Sequence, residues 1–159
     1  MALTPAQQAA VKADILANSD LDALPNTGDG AFAIAELYNL DASPVFTAWR
    51  PNVPVGDVKQ VIDWTELIAA SIGERDTFVI MLADGSLDAS DINVRQGIAD
   101  IFSGPGGAVS RAALLELSKR DALRIEALLS TGTGTEATPA TMDRVGTIGY
   151  QDVWAARNS

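Results

Sequence analysis

The sequence predicts a mainly α-helical protein, a compact bundle of about five to six helices with an extended C-terminal arm that contains a short β-like segment. Apolar residues recur at helical spacing over most of residues 5–130. Residues 131–141 carry no large apolar side chain, and residues 145–150 then alternate apolar with small residues, as a short strand does. We therefore expect a helical body at residues 1–130 and an arm at residues 131–159.

The first part of the body is predicted from capping and turn residues. Thr4 and Pro5 supply a hydroxyl N-cap and a proline at the first helical position, which predicts a helix over residues 4–18. A loop rich in Gly, Pro and Asn follows, and a second helix is expected over residues 30–40. A short helical turn is expected at residues 43–49.

The rest of the body is predicted from hydrophobic periodicity. Residues 57–72 place their apolar side chains within one arc, which predicts a single helix. The continuous apolar run within residues 74–84 is interpreted as a buried helix, because a lone strand would have no pairing partner. Residues 90–102 form the next predicted helix. Residues 108–130 form the clearest one, since leucine and isoleucine occupy one side of it.

The arm is predicted to bind a partner. Residues 131–141 cannot bury a core and should run extended over a surface. The strand-like residues 145–150 suit addition to the sheet edge of a neighbour. A helix over residues 151–158 is marginal in isolation, so its tryptophan should dock on the same chain or on another. The candidate interaction residues are Thr133, Thr135, Pro139, Met142, Val145, Ile148, Tyr150, Val153, Trp154 and Arg157.

Composition favours binding over catalysis. The chain has 159 residues, about one ordinary domain, and 47% of them are hydrophobic, which is enough for a core without a metal or disulfide. Cysteine and histidine are both absent from the sequence, so thiolate nucleophiles, zinc–thiolate sites and a Ser-His-Asp triad are excluded. We expect no catalytic residue, no metal and no cofactor.

The charge of the chain argues against binding to nucleic acid. The net charge is −10, and residues 1–100 hold 15 acidic and 5 basic side chains. Phosphate neutralisation requires clustered Lys and Arg instead. An acidic surface keeps a protein soluble, and it also suits a surface that DNA must pass without binding. The sequence has no apolar run of membrane-spanning length and no signal-peptide core, so we expect synthesis in the cytoplasm and no membrane contact.

Three sequence motifs suggest chemistry only weakly. The TGTGT stretch at residues 131–135 is not followed by the lysine of a phosphate-binding loop. Residues 84–95 fail as a calcium loop, because alanine and arginine stand where glycine and glutamate are required. The carboxylate pairs Asp20/Asp22 and Asp63/Glu66 leave a hydrolase open as an alternative, although no aromatic cleft is evident.

Several segments resemble a family of uncharacterised structural proteins of tailed bacteriophages. In the body these are LTPAQ at residues 3–7, GAFAIA at 30–35 with YN at 38–39, SPVFTAWR at 43–50 and VRQGI at 94–98. Near the C-terminus they are TGTGT at 131–135, TPATM at 138–142, YQDV at 150–153 and ARN at 156–158. The resemblance spans nearly the whole chain.

The resemblance implies a virion protein. A helical body with a C-terminal arm is similar in outline to head–tail connector adaptors of the phage neck. Such adaptors form rings, usually dodecamers, below the portal protein, line the DNA channel without binding DNA specifically, and receive a stopper or tail protein. The alternatives are a capsid decoration protein, a tail-completion protein, or a virion-associated hydrolase that uses carboxylates.

Overall fold

Short helices make up most of residues 2–159, which the computed structural model describes. The α-helices are α1 (Pro5–Ala17), α2 (Ser19–Asp22), α3 (Gly28–Tyr38), α4 (Val55–Val61), α5 (Trp64–Ala69), α6 (Ile72–Met81), α7 (Ile92–Ile101), α8 (Ala108–Leu117), α9 (Arg124–Leu128) and α10 (Tyr150–Arg157). A 3₁₀ turn at Pro105–Gly107 precedes α8. The strands are β1 (Thr47–Trp49), β2 (Val53–Pro54), β3 (Ser86–Leu87), β4 (Lys119–Asp121), β5 (Ser130–Thr131) and β6 (Thr141–Met142). None of the helices in this part of the chain is both long and apolar enough to cross a membrane.

The chain is organised as two units, one of which is discontinuous in sequence. Unit 1 consists of the chain up to Ala48 together with Asp121–Ser159, and unit 2 is Trp49–Arg120. The chain leaves unit 1 within β1 and returns within β4. The units do not follow the expected boundary at residue 130.

Unit 1 is built around helices from both ends of the sequence. Helix α10 packs against α1 and α3, although it lies more than 100 residues away from them in the chain. Strands β5 and β6 form an antiparallel pair in which Ser130 lies opposite Met142. The core contains Leu3, Val11, Ile15, Leu21, Ala31, Ile34, Ala35, Tyr38, Ile125, Leu129, Ile148, Val153 and Ala156.

Unit 2 has its own core, formed by the helices α4 and α6–α8. Phe78 and Phe102 meet edge to face with their ring centres 5.4 Å apart, a favoured aromatic geometry. Strand β2 pairs antiparallel with β3, so that Val53 lies opposite Leu87. The core contains Val53, Val58, Ile62, Phe78, Leu87, Ala89, Ile98, Ile101, Phe102 and Leu114.

The helices that begin with strong local signals are confirmed. In α1 the Thr4 hydroxyl accepts a hydrogen bond from the Gln7 N–H, and the Gln7 side chain accepts one from the Thr4 N–H. Ser71 and Glu74 form the same reciprocal cap at the start of α6. The predicted helices at the positions of α1, α3, α6, α7 and α10 are present, with ends shifted by at most three residues. The expected burial of α6 is wrong, because Phe78 is its only buried residue and Val79 and Ile80 are exposed.

The predicted bundle of five to six helices with an extended arm is wrong. The described residues form ten short α-helices and three small two-stranded sheets, although helix remains the predominant secondary structure. Residues 145–149 form no strand. Ile148 is buried there instead, and its N–H donates to the Asn39 side chain at 2.9 Å. The C-terminal segment is therefore part of the core of unit 1.

The long helix predicted at residues 108–130 is also wrong, because it is interrupted by β4. Helix α8 ends at Leu117, where the Ser118 hydroxyl donates to the Leu114 carbonyl at 2.6 Å. The Arg50 N–H then donates to the Ser118 carbonyl, and the Ala122 N–H donates to the Phe46 carbonyl. These bonds to residues about 70 positions away replace the bonds that would have continued the helix.

Two other predicted helices are corrected in the same way. Residues 57–72 form two helices, because Ile62 is extended and the Asp63 carboxylate starts α5 by accepting from the Thr65 N–H at 2.8 Å. Residues 47–49 form β1 rather than a helical turn. The Thr47 N–H donates to the Gly134 carbonyl at 2.7 Å, a bond that ties β1 to the loop between β5 and β6.

Candidate protein-interaction surfaces

Most of the ten predicted arm residues serve the fold of unit 1. Met142, Ile148 and Val153 are buried. Arg157 donates to the backbone carbonyls of Leu24 and Pro25, each at 3.0 Å. The exposed Thr133 and Thr135 and the half-buried Pro139 lie in the loop between β5 and β6, where both threonine hydroxyls bond to Thr138.

Val145 and an aromatic pair on α10 are the predicted arm residues whose apolar side chains remain exposed. Tyr150 and Trp154 are 47% and 43% exposed, and at a spacing of four residues they share one face of α10. The opposite side of α10 buries Val153 and Ala156. Asp152 fixes the start of α10, because its carboxylate accepts from the Leu3 and Gly149 N–H groups, each at 3.3 Å. We call Tyr150 and Trp154 the α10 aromatic pair.

A second exposed apolar surface, which the sequence analysis missed, lies on α5 and α6 in unit 2. Each of its five large side chains is more than half exposed, and we call them the α5–α6 surface: Trp64, Ile68, Ile72, Val79 and Ile80. Helix α5 buries none of its residues, and α6 buries Phe78. The sequence predicted a single apolar arc over residues 57–72, so exposed side chains within that range were not expected. The break at Ile62 divides the arc, so its first part is buried and Ile68 and Ile72 are not.

A third surface is an open cleft in unit 1 at the C-terminal end of α3. Two backbone hydrogen bonds hold its floor, from the Arg124 N–H to the Leu40 carbonyl at 2.8 Å and from the Ala42 N–H to the Ala122 carbonyl at 3.0 Å. The cleft has a volume of about 500 Å³. It is lined by Asn18, Leu37, Leu40, Asp41, Ala42, Ser43, Pro44, Phe46, Arg124 and Ala127. We call it the α3 cleft.

A partly buried polar network includes Arg124, one of the residues that line the α3 cleft. The Tyr38 hydroxyl donates to an Asp14 carboxylate oxygen at 2.8 Å, and Arg124 reaches the same oxygen at 3.3 Å. The Arg124 guanidinium lies 5.1 Å from the centre of the Tyr38 ring. Burial raises the pKa of Tyr38 well above its ordinary value, and the hydrogen bond to the Asp14 carboxylate raises it further. The phenol therefore stays protonated and acts as a fixed donor.

One of the two carboxylate pairs considered for hydrolysis, Asp63 and Glu66, has structural partners. Asp63 caps α5, and Glu66 accepts from the backbone N–H groups of Val109 at 3.1 Å and Ser110 at 2.7 Å. These bonds, the one from Ser110 first, lower the pKa of Glu66. The general acid of a glycosidase needs a raised pKa, so the shift has the wrong direction for that role. Asp20 and Asp22 lie exposed in the first turn of α2.

The described residues offer no ready metal site. Residues 2–159 contain no group of three or more Asp or Glu side chains placed to hold a metal ion. The acidic residues are instead spread unevenly between the units. Unit 1 has 11 acidic and 4 basic side chains, a net charge of −7, while unit 2 has 10 and 7, a net charge of −3.

Comparison with protein-family models, with curated proteins and with solved structures gives no match for this chain.

Proposed function

We propose that this chain is a structural protein of a tailed-bacteriophage virion, a head–tail connector adaptor that forms a ring below the portal and lines the DNA channel. The resemblance of its sequence segments to phage structural proteins supports the virion setting. The observation that carries the protein-binding role is the α5–α6 surface, with five large apolar side chains within 17 residues, all more than half exposed.

Exposure on this scale favours a subunit interface. Burying apolar area contributes about 25 cal/mol per Å², so covering five large exposed side chains on two successive helices with a partner would be favourable. A ring is built from heterologous contacts, in which each subunit uses two different surfaces. We assign the α5–α6 surface to one side of the contact between copies, where it packs on a different surface of the next copy. We assign the α10 aromatic pair to the portal.

The charge of the chain suits a DNA conduit. Both units are acidic, and the net charge of −10 repels passing phosphates rather than retaining them. The stopper or tail protein would bind the face of the ring opposite the portal.

Ring formation can be tested with one matched pair of variants. Ile68 on α5 and Ile92 at the start of α7 are 69% and 64% exposed in the same unit. We expect Ile68→Asp to abolish rings on purified portal in negative-stain images, and Ile92→Asp to leave them intact. Circular dichroism checks that both variants fold. Normal rings with Ile68→Asp would contradict the assignment of this surface.

Portal binding requires point variants of the full chain. Deleting residues 131–159 would remove Ile148, Val153 and Ala156 from the core of unit 1, so a truncated protein would not test the arm alone. We expect the double variant Tyr150→Ala/Trp154→Ala to bind purified portal more weakly at unchanged fold. Equal binding would contradict the role of the α10 aromatic pair. Cryo-electron microscopy of intact particles separates the neck from a capsid-decoration or tail-completion position.

A further inference from the structure

Exposed apolar side chains lie along α3 and at the cleft beyond its C-terminal end, both in unit 1 and both among acidic residues. Phe32 is 55% exposed on α3, and Leu40, just beyond the helix, is 59% exposed and lines the cleft. Leu37 lines the same cleft from the last turn of α3. Val45, beside the cleft wall, is exposed as well. This surface is separate in the sequence from both surfaces used above.

Carboxylates alternate with these apolar side chains. Asp29, Phe32 and Glu36 recur every three to four residues and so form one exposed stripe along α3. Asp41 is exposed at the cleft. A helix face that mixes apolar and acidic side chains in this way is matched by a partner that mixes apolar and basic ones.

The surrounding sequence strengthens the negative charge. Residues 13–49 contain six Asp or Glu residues and no Lys or Arg. Asp14 is one of the six, and it pairs with Arg124, the arginine that lines the cleft. The remaining five carboxylates are exposed. The surface therefore attracts cationic side chains and repels both nucleic acid and acidic proteins.

We propose that the α3 cleft binds an amphipathic helical segment of a partner protein, with apolar side chains in the cleft and lysine or arginine side chains facing Glu36 and Asp41. The cleft volume of about 500 Å³ suits this occupant. A cavity of about 150 Å³ already holds one benzene-sized group, so several apolar side chains fit. Apolar anchors spaced along one face are how helices are recognised in grooves. The proposal rests on the protein-binding role proposed above and adds the chemistry of one partner.

The probe is a pair of synthetic helical peptides of about 14 residues with leucine on one face, long enough for about four turns. One peptide carries lysine on its other face and the second carries glutamate there. Isothermal titration calorimetry with the full chain measures the affinity of each peptide at low and high salt. We expect the lysine peptide to bind at least about tenfold more tightly than the glutamate peptide, with affinity falling as salt rises.

Matched variants locate the binding. Leu40→Ala and Asp41→Lys change the cleft, and each should weaken binding of the lysine peptide at least about fivefold. Leu16→Ala makes the same change at another exposed leucine of unit 1, 62% exposed, and Asp76→Lys makes the same charge change on α6. These controls should change the affinity less than about twofold.

Several results would overturn the proposal. One is an equal loss of affinity in the cleft variants and in their controls. Another is equal affinity of the chain for the two peptides. A third is the absence of binding by the lysine peptide at millimolar concentration. The ring assay with Ile68→Asp does not involve these residues, so either result can fail without the other.

Discussion

Shortening one buried side chain of α10 tests whether the C-terminal segment is part of the unit 1 core. Val153 is 0% exposed and lies in the helix that packs against α1 and α3. Val153→Ala removes two methyl groups, worth about 1.6 kcal/mol of transfer free energy at about 0.8 kcal/mol each. The cavity left behind adds about 1 kcal/mol. We expect the free energy of unfolding to fall by about 2–3 kcal/mol.

The same substitution at Val145 is the control. Val145 belongs to the same C-terminal segment but is 53% exposed, so Val145→Ala should cost well below about 1 kcal/mol. Urea unfolding followed by circular dichroism measures both variants. If Val153→Ala stays within about 0.5 kcal/mol of the wild type, or if both variants lose the same amount, α10 is not docked and the segment is an arm after all.

Three further predictions concern single contacts. Tyr38→Phe removes the donor to Asp14 and should lower the free energy of unfolding by about 1–3 kcal/mol at neutral pH. The pKa of folded Tyr38 is raised, so this contribution to the free energy of unfolding should be complete below about pH 10 and be lost as pH rises above it. Urea unfolding at several pH values should therefore show a smaller loss of stability above about pH 10 in the variant than in the wild type. Glu66→Gln should lower the melting temperature by calorimetry at pH 7. Because the pKa of Glu66 is lowered by folding, the difference from wild type should begin to shrink as pH falls below about 4.3, the unperturbed pKa of Glu, and continue to shrink until the folded carboxyl is protonated. Gly134→Ala should destabilise far more than Gly146→Ala in thermal melts. Both glycines have positive φ, but only at Gly134 would a Cβ collide with a side chain, lying 2.2 Å from the Phe46 ring.

The sequence predicts elements whose signals are local and misses those decided by distant partners. The start of α1 is determined by its capping residues and first-turn proline, Thr4, Pro5 and Gln7. These residues are close together in the sequence, so the helix start can be predicted from the sequence alone. The end of α8 depends on the backbone of residues 46–50, which offers hydrogen bonds that no periodicity reveals. Asp121, which falls within the predicted apolar arc of residues 108–130, lies in β4.

For the candidate surfaces, too, the sequence predicts what depends on local signals and misses what depends on distant residues. Large apolar side chains in the C-terminal segment could be found from sequence, but pattern alone could not separate the exposed Trp154 from the buried Ile148 and Val153. The α3 cleft depends on residues 40–42 lying beside residues 122–124, a contact across about 80 positions. The asymmetry of charge, by contrast, is visible in the sequence itself.

The discontinuity of unit 1 has a consequence for the order in which the protein forms during synthesis. Unit 2 is a continuous stretch, so all of its core residues have been synthesised before residue 121 is added. Helix α1 can pack against α10 only after α10 has been synthesised, more than 130 residues later. Contacts of such sequence separation form slowly. Val11, Ile15 and Ile34 therefore lack their C-terminal partners during most of translation, and we expect unit 1 to depend more on chaperones than unit 2 does.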